Sequence, residues 1–153
     1  MRDIVTAERA ASMGYTRVAG PVGRGYQATQ RWLEELEAEL STDDAQRAYR
    51  VLQAWLQLTR DLLPAREVVD LGTCLPVPLR GLYYECWDPV RRPARHDRET
   101  FVGRFAIIAR VPNAEVPAAA RAAWSVFRRN VPGQAEIVWR RFPADLRRLL
   151  AGD

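Results

Sequence analysis

No lysine occurs in this chain of 153 residues: all 23 basic residues are arginine, and there is a single histidine, His96. The first absence removes a lysine Schiff base and a phosphate-binding loop built round a lysine. The second removes any metal site that needs two histidines from one chain. Cysteine is almost as scarce. Cys74 and Cys86 are far from a CxxC spacing, so neither a disulfide framework nor a zinc motif is indicated. The N-terminus, Met-Arg-Asp, has no apolar signal core, and no run approaches the length of a membrane span. The expectation is a cytoplasmic protein without membrane attachment. The missing lysine itself reads as the codon bias of a GC-rich genome, which also favours alanine and proline.

What is present is helical periodicity. Residues 1–27 stand apart as an N-terminal arm: a short helix over Ile4–Ser12, then a strap broken by Gly14, Gly20, Pro21, Gly23 and Gly25. Its apolar residues Ile4, Met13, Tyr15, Val18 and Tyr26 suit packing on the body or on a partner. From Thr29 the pattern of a helix is clear, with Trp32, Leu33, Leu36 and Leu40 on one face and Glu34, Glu35, Glu37 and Glu39 on the wet one. Ser41-Thr42-Asp43-Asp44 reads as a break and a capping box. A second helix follows with Ala45, Ala48, Leu52, Trp55, Leu56 and Thr59 as its stripe. Pro64 starts a third helix that buries Val68, Val69 and Leu71, and Pro76 starts a fourth that runs to about Cys86. Residues 88–96, rich in proline and arginine, read as a linker.

The same order then recurs. Asp97 caps a helix carrying Phe101, Val102, Phe105 and Ile108, and a long alanine-rich helix carries Val116, Ala120, Ala123, Trp124 and Phe127. Val131-Pro132 matches Leu63-Pro64, and Phe142-Pro143 through Arg147 matches Leu75-Pro76 through Arg80, with one residue of slippage. These landmarks predict an all-α fold: two tandem four-helix repeats, 28–87 and 97–150, packed as one orthogonal bundle.

The run Leu75-Pro76-Val77-Pro78-Leu79-Arg80-Gly81-Leu82-Tyr83-Tyr84-Glu85-Cys86-Trp87-Asp88-Pro89 resembles the bacterial domain-of-unknown-function family numbered 2267. Trp32-Leu33, Asp44 to Tyr49 and Asp61-Leu62-Leu63 fit it upstream. Phe101, Val131-Pro132 and Phe142-Pro143-Ala144-Asp145-Leu146-Arg147 fit more loosely downstream. The resemblance spans about residues 28–150, and Cys86 stands where the family usually has glycine. It implies an all-helical repeat domain and brings no activity, substrate or cofactor.

The densest set of functional side chains is Tyr83 to Asp88. One reading makes Arg80, Tyr84, Glu85 and Trp87 a ligand or partner contact. The plainer one wedges Leu79, Tyr83 and Trp87 between the repeats and pairs Arg80 with a carboxylate such as Glu85. Arg147 occupies the position equivalent to Arg80, so both are expected to clamp a carboxylate or hold an anion. His96, in the linker, is expected to be a solvated capping residue.

Charge is unevenly distributed. Residues 28–70 hold nine acids against five arginines, and residues 97–153 hold ten arginines against six acids. Arg128, Arg129, Arg140, Arg141 and Arg148 make nucleic-acid binding one reading. The other is that the acidic repeat faces the basic one, within a chain or between chains. No catalytic constellation is legible, and no cofactor or metal is called for. The sequence therefore predicts a non-catalytic helical protein that works by protein–protein contact, as a homo-oligomer or an adaptor. Nucleic-acid binding through the second repeat, or an anionic small ligand at Arg80, Tyr84 and Glu85, is the alternative.

Overall fold

The computed structural model describes residues 19–153, and the expected helix at Ile4–Ser12 lies outside them. Among the described residues there are eight α-helices and no strand. They are α1 (Gly20–Glu39), α2 (Ala45–Asp61), α3 (Ala65–Cys74), α4 (Val77–Tyr84), α5 (Arg98–Ala109), α6 (Val116–Asn130), α7 (Pro132–Arg141) and α8 (Ala144–Ala151). The fold is all-α.

The first helix starts well before Thr29. Gly20-Pro21 opens it, and Gly23 and Gly25 are buried inside it rather than breaking it. Gly25 is there for proximity. A Cβ at this position would sit 3.2 Å from the amide nitrogen of Val77 and 3.3 Å from Cδ of Pro78, so a bare backbone lets α1 lie directly on the start of α4. The cost of glycine in a helix, about 1 kcal/mol against alanine, is offset by that contact.

Caps set the other helix starts. Asp44 accepts from the amides of Gln46 (3.0 Å) and Arg47 (3.2 Å), so it is the N-cap of α2, and Thr42 accepts from Asp44 instead of forming a capping box. Asp97 caps α5 through Thr100, as its position in the sequence indicates. Pro64 and Pro143 precede α3 and α8 without any side-chain cap.

Helix α2 is the core of the molecule. Besides the expected stripe it buries Val51, Ala54 and Leu58, whereas Ala45 is exposed, because α2 is covered by α1, α4, α5 and α6. Val69, expected inside α3, is half exposed. Trp55 has no exposed surface, and its ring lies 5.8 Å from each of Phe127, Trp124 and Phe142. All three of those partners come from the second half of the chain, so one aromatic cluster joins both halves.

The helix contacts have a reciprocal form. Helix α1 packs on α6 and α5 packs on α2; α2 lies against α4 as α6 lies against α8. Gln57 of α2 donates to the carbonyl of Leu82 at 3.1 Å, and Arg121 of α6 donates to that of Leu149 at 3.2 Å. The Pro76 carbonyl accepts from the Arg80 amide as the Pro143 carbonyl does from Arg147. Helix α5 thus packs mainly on the other half, whereas α1 packs on α2 and α4 of its own half as well as on α6.

Helix α4 ends at Tyr84, two residues earlier than its apolar pattern indicates, and Cys86 takes a left-handed backbone (φ 59°) while the Trp87 amide returns to the Tyr84 carbonyl at 3.0 Å. An L-residue pays roughly 1–2 kcal/mol for that conformation and glycine does not. Cys86→Gly should therefore raise stability by about 0.5–1 kcal/mol, net of the extra freedom of the unfolded chain, in urea-unfolding curves.

Candidate functional site

Most of the arginines have structural partners. Four of them serve carbonyl groups at helix ends. Arg80 Nε donates to Gly72 at 2.8 Å and its Nη2 to Leu75 at 3.2 Å, closing the end of α3. Arg60, 6 % exposed, donates through Nη1 to the carbonyls of Tyr83 (2.8 Å) and Glu85 (2.7 Å), closing α4, and pairs with Asp61 at 2.9 Å. Arg50 reaches Ala109 at the end of α5, and Arg121 reaches Leu149 near the end of α8. A cation at a helix C-terminus opposes the negative end of the dipole, and the guanidinium fork can serve two carbonyls at once.

Others join the two halves. Arg129 pairs with Glu39 at 2.6 Å and Glu35 at 3.7 Å, Arg141 is bidentate on Glu67 at 2.7 and 2.9 Å, and Arg47 meets Glu115 at 3.1 Å. The acidic helix α1 therefore faces the basic helix α6 within one chain; Glu35 is partly covered there, while Glu39 is paired but stays exposed. Arg140 is paired with Glu136 on its own helix, and Arg128 lies over the Trp124 ring at 5.9 Å. Of the five arginines singled out for nucleic acid, only Arg148 has no partner among the described residues.

The expected cluster around Arg80 is not assembled. Arg80 turns back to α3 and takes carbonyl oxygens instead of Glu85 or another carboxylate, beside a groove shared with Arg24 and Arg31. Tyr84 and Glu85 line a different groove, with Leu33 and Tyr49. Tyr84 lies so close over Gly72 that a Cβ there would collide with its ring, and Trp87 packs on it at 5.5 Å. Tyr83 is held inside the first half, its hydroxyl donating to Val68 at 2.8 Å, and burial pushes its ionisation above the usual tyrosine range. Arg147 makes no side-chain hydrogen bond or ion pair among the described residues, so it clamps no carboxylate there.

The segment read as a linker is the more informative place. It does not loop into solvent. The Ala94 amide donates to the carbonyl of Asp61 at 2.7 Å, which pins the segment across the end of α2. His96 is consequently buried, 6 % exposed, rather than solvated. Its Nε2 has no hydrogen-bond partner among the described residues. Burial, and then the charge of Arg104, hold its ionisation below the ordinary 6.5, while Asp61 and Asp97 act weakly the other way.

Cavities lie on both sides of this segment. The larger, about 910 Å³, opens where α3, α5 and α8 begin, and Pro64, Arg92, Arg95, His96, Asp97, Arg141, Pro143 and Asp145 are on its wall. The smaller, about 210 Å³, has Arg60, Asp61, Trp87, Arg92, His96 and Arg104. Arg92, Arg95 and Arg104 are exposed and have no carboxylate or carbonyl partner among the described residues. The acids nearby are all engaged: Asp61 with Arg60, Asp88 with Arg91, Glu67 with Arg141. Asp97 holds the Thr100 amide, which draws its carboxyl below the usual range, and Asp145 holds the amides of Arg98 (2.7 Å) and Leu146 (2.8 Å). Among the described residues, no group of three or more His, Cys, Asp or Glu side chains is arranged to hold a metal ion, and no helix is long and apolar enough to cross a membrane.

Two outcomes follow. Arg80→Ala removes the guanidinium donor from the carbonyls of Gly72 and Leu75 and should lower stability by about 1–3 kcal/mol in urea unfolding, with Arg80→Lys recovering only part. His96 must also gain a proton on unfolding once the pH is below its unfolded value, so stability should fall as pH drops from about 6.5 toward 5. In His96→Gln the slope over that interval should be shallower.

No curated protein matches the chain. The Leu-Pro, Tyr-Tyr-Glu and Trp-Asp-Pro landmarks that shape α4 and the turn after it fall inside a family-model match over residues 29–149, and the chain belongs to that family, DUF2267, described as an uncharacterized conserved protein.

Proposed function

We propose that this protein is a non-catalytic binding module that contacts an acidic partner protein through its 91–104 face. The observation that carries this reading is the grouping of Arg92, Arg95 and Arg104, exposed and without partners among the described residues, around a segment fixed to the body by the Ala94–Asp61 bond. Three exposed guanidinium groups, Arg92 and Arg95 on a pinned segment and Arg104 on α5, complement carboxylates well and steer association. Val90, 89 % exposed beside this cluster, adds an apolar contact. A nucleic-acid reading is less favoured, because Arg129, Arg140 and Arg141 are tied to glutamates and Arg128 to Trp124. Among the described residues an enzymatic reading has no nucleophile–base hydrogen bond to rest on.

The test is fluorescence anisotropy with a labelled Asp/Glu-rich peptide and, separately, a DNA duplex of similar length, each across a salt series. The peptide should bind and weaken as salt rises, and the triple variant Arg92→Gln, Arg95→Gln, Arg104→Gln should bind it at least tenfold more weakly. No peptide binding at low salt, or equal binding by the variant, would overturn the proposal. Tighter binding of DNA that survives in the triple variant would favour the arginines of the second half instead.

A further inference from the structure

Two glycines inside helices have no packing reason within their own chain. At Gly81 in α4 and Gly103 in α5 an added Cβ would meet nothing within 4 Å among the described residues, unlike Gly25 and Gly72, which make room for Val77 and Tyr84. Glycine inside a helix costs stability, so a bare backbone at both places points to close approach by another molecule. We infer that this molecule is a second copy of the chain, with α5 of one copy seated in a groove between α1 and α4 of the other.

The groove has a volume of about 430 Å³. Gly81 is on its wall with Thr29 and Leu33 of α1, Tyr49 of α2, and Leu82 and Tyr84 of α4. Leu33 and Tyr84 are only partly covered, and Tyr49 is exposed. The chain carries 23 arginines, yet none of the described ones lines this groove. Its charged wall residue is Glu85, and Glu37 stands one turn beyond Leu33 on the same face of α1. Neither carboxylate has an ion pair or side-chain hydrogen bond among the described residues. That sets them apart from Glu35, Glu39 and Glu67, which are taken by arginines of the second half. An apolar floor with free carboxylates at its rim fits an apolar side chain flanked by cations.

The outer face of α5 has that pattern. Ile107 is 78 % exposed, Gly103 lies one turn before it, and Arg104 and Arg110 flank it three residues to either side. Both arginines are exposed and make no side-chain hydrogen bond or ion pair among the described residues. Helical spacing puts Gly103, Arg104 and Ile107 on one face, so the apolar knob stands next to a bare stretch of backbone. The same bareness at Gly81 lets the incoming helix lie deep in the groove. Arg104 is shared with the 91–104 face; Ile107, Gly81 and the groove are not, and the inference does not depend on that reading.

Sedimentation velocity of the full chain over a concentration series, at low and at high salt, is the test. Self-association is expected, and it should weaken as salt rises. Ile107→Ser and Gly81→Gln should each raise the dissociation constant at least tenfold. Gly81→Gln should at the same time raise the unfolding midpoint of the monomer, because glutamine is the better helix former where space is open; a glycine kept for internal packing would lower it. Glu85→Arg and Arg104→Glu should each weaken association, and the chain carrying both should recover it. A monomer at every concentration overturns the proposal. So does association that Ile107→Ser and Gly81→Gln leave unchanged, or a pair of charge reversals without recovery. Acidic-peptide binding should be intact in Gly81→Gln, so loss of self-association and loss of the partner surface are read separately.

Discussion

The buried guanidinium of Arg60 is the interaction on which the rest of the site depends. It sits at the end of α2, closes α4 through two carbonyls, and holds Asp61 beside it. The backbone carbonyl of Asp61 in turn holds Ala94 and therefore the crossing segment. A guanidinium this deep is tolerated because its hydrogens are met by carbonyls and a carboxylate, whereas removing one partner would leave a charge without compensation. The Ala94–Asp61 bond holds the segment across the end of α2, two residues before the buried His96.

Arginine as the sole basic residue takes on a structural sense. Its positions show its use. Arg50, Arg60, Arg80 and Arg121 each close a helix C-terminus from another element, and Arg141 makes a two-pronged contact with Glu67. A lysine ammonium lacks the planar, pre-organised fork with which Arg60 and Arg80 each serve two carbonyls. Short helices such as α4 and α8, with eight residues each, are poor formers in isolation, and donors arriving from neighbouring helices supply what their own turns lack.

The helices from α2 onward were legible because their apolar positions keep the helical period and their starts carry Asp or Pro. Asp44 takes the capping role that the residue pattern assigns to a Ser/Thr capping box, whereas Asp97 could be found from spacing alone. The start of α1 could not, because Gly20, Gly23 and Gly25 look the same whether they loosen a strap or let two helices touch; only the position of Val77 decides. The candidate site was the least legible part. Tyr83, Tyr84, Trp87 and Arg80 attract attention by side-chain type, yet their hydroxyl, rings and guanidinium are occupied in packing α3 against α4. The residues of the crossing segment look solvated because proline and arginine are polar-loop residues. Its burial of His96 is decided by one backbone hydrogen bond, which leaves no trace in composition.

The aromatic cluster around Trp55 has a consequence for how the fold comes apart. Its partners Trp124, Phe127 and Phe142 all belong to the second half, and α5 rests on α2, so neither half has a complete core of its own. The Arg129 and Arg141 ion pairs cross the same seam. Separating the halves would bare an aromatic face on each, which makes them a single cooperative unit rather than two independent ones.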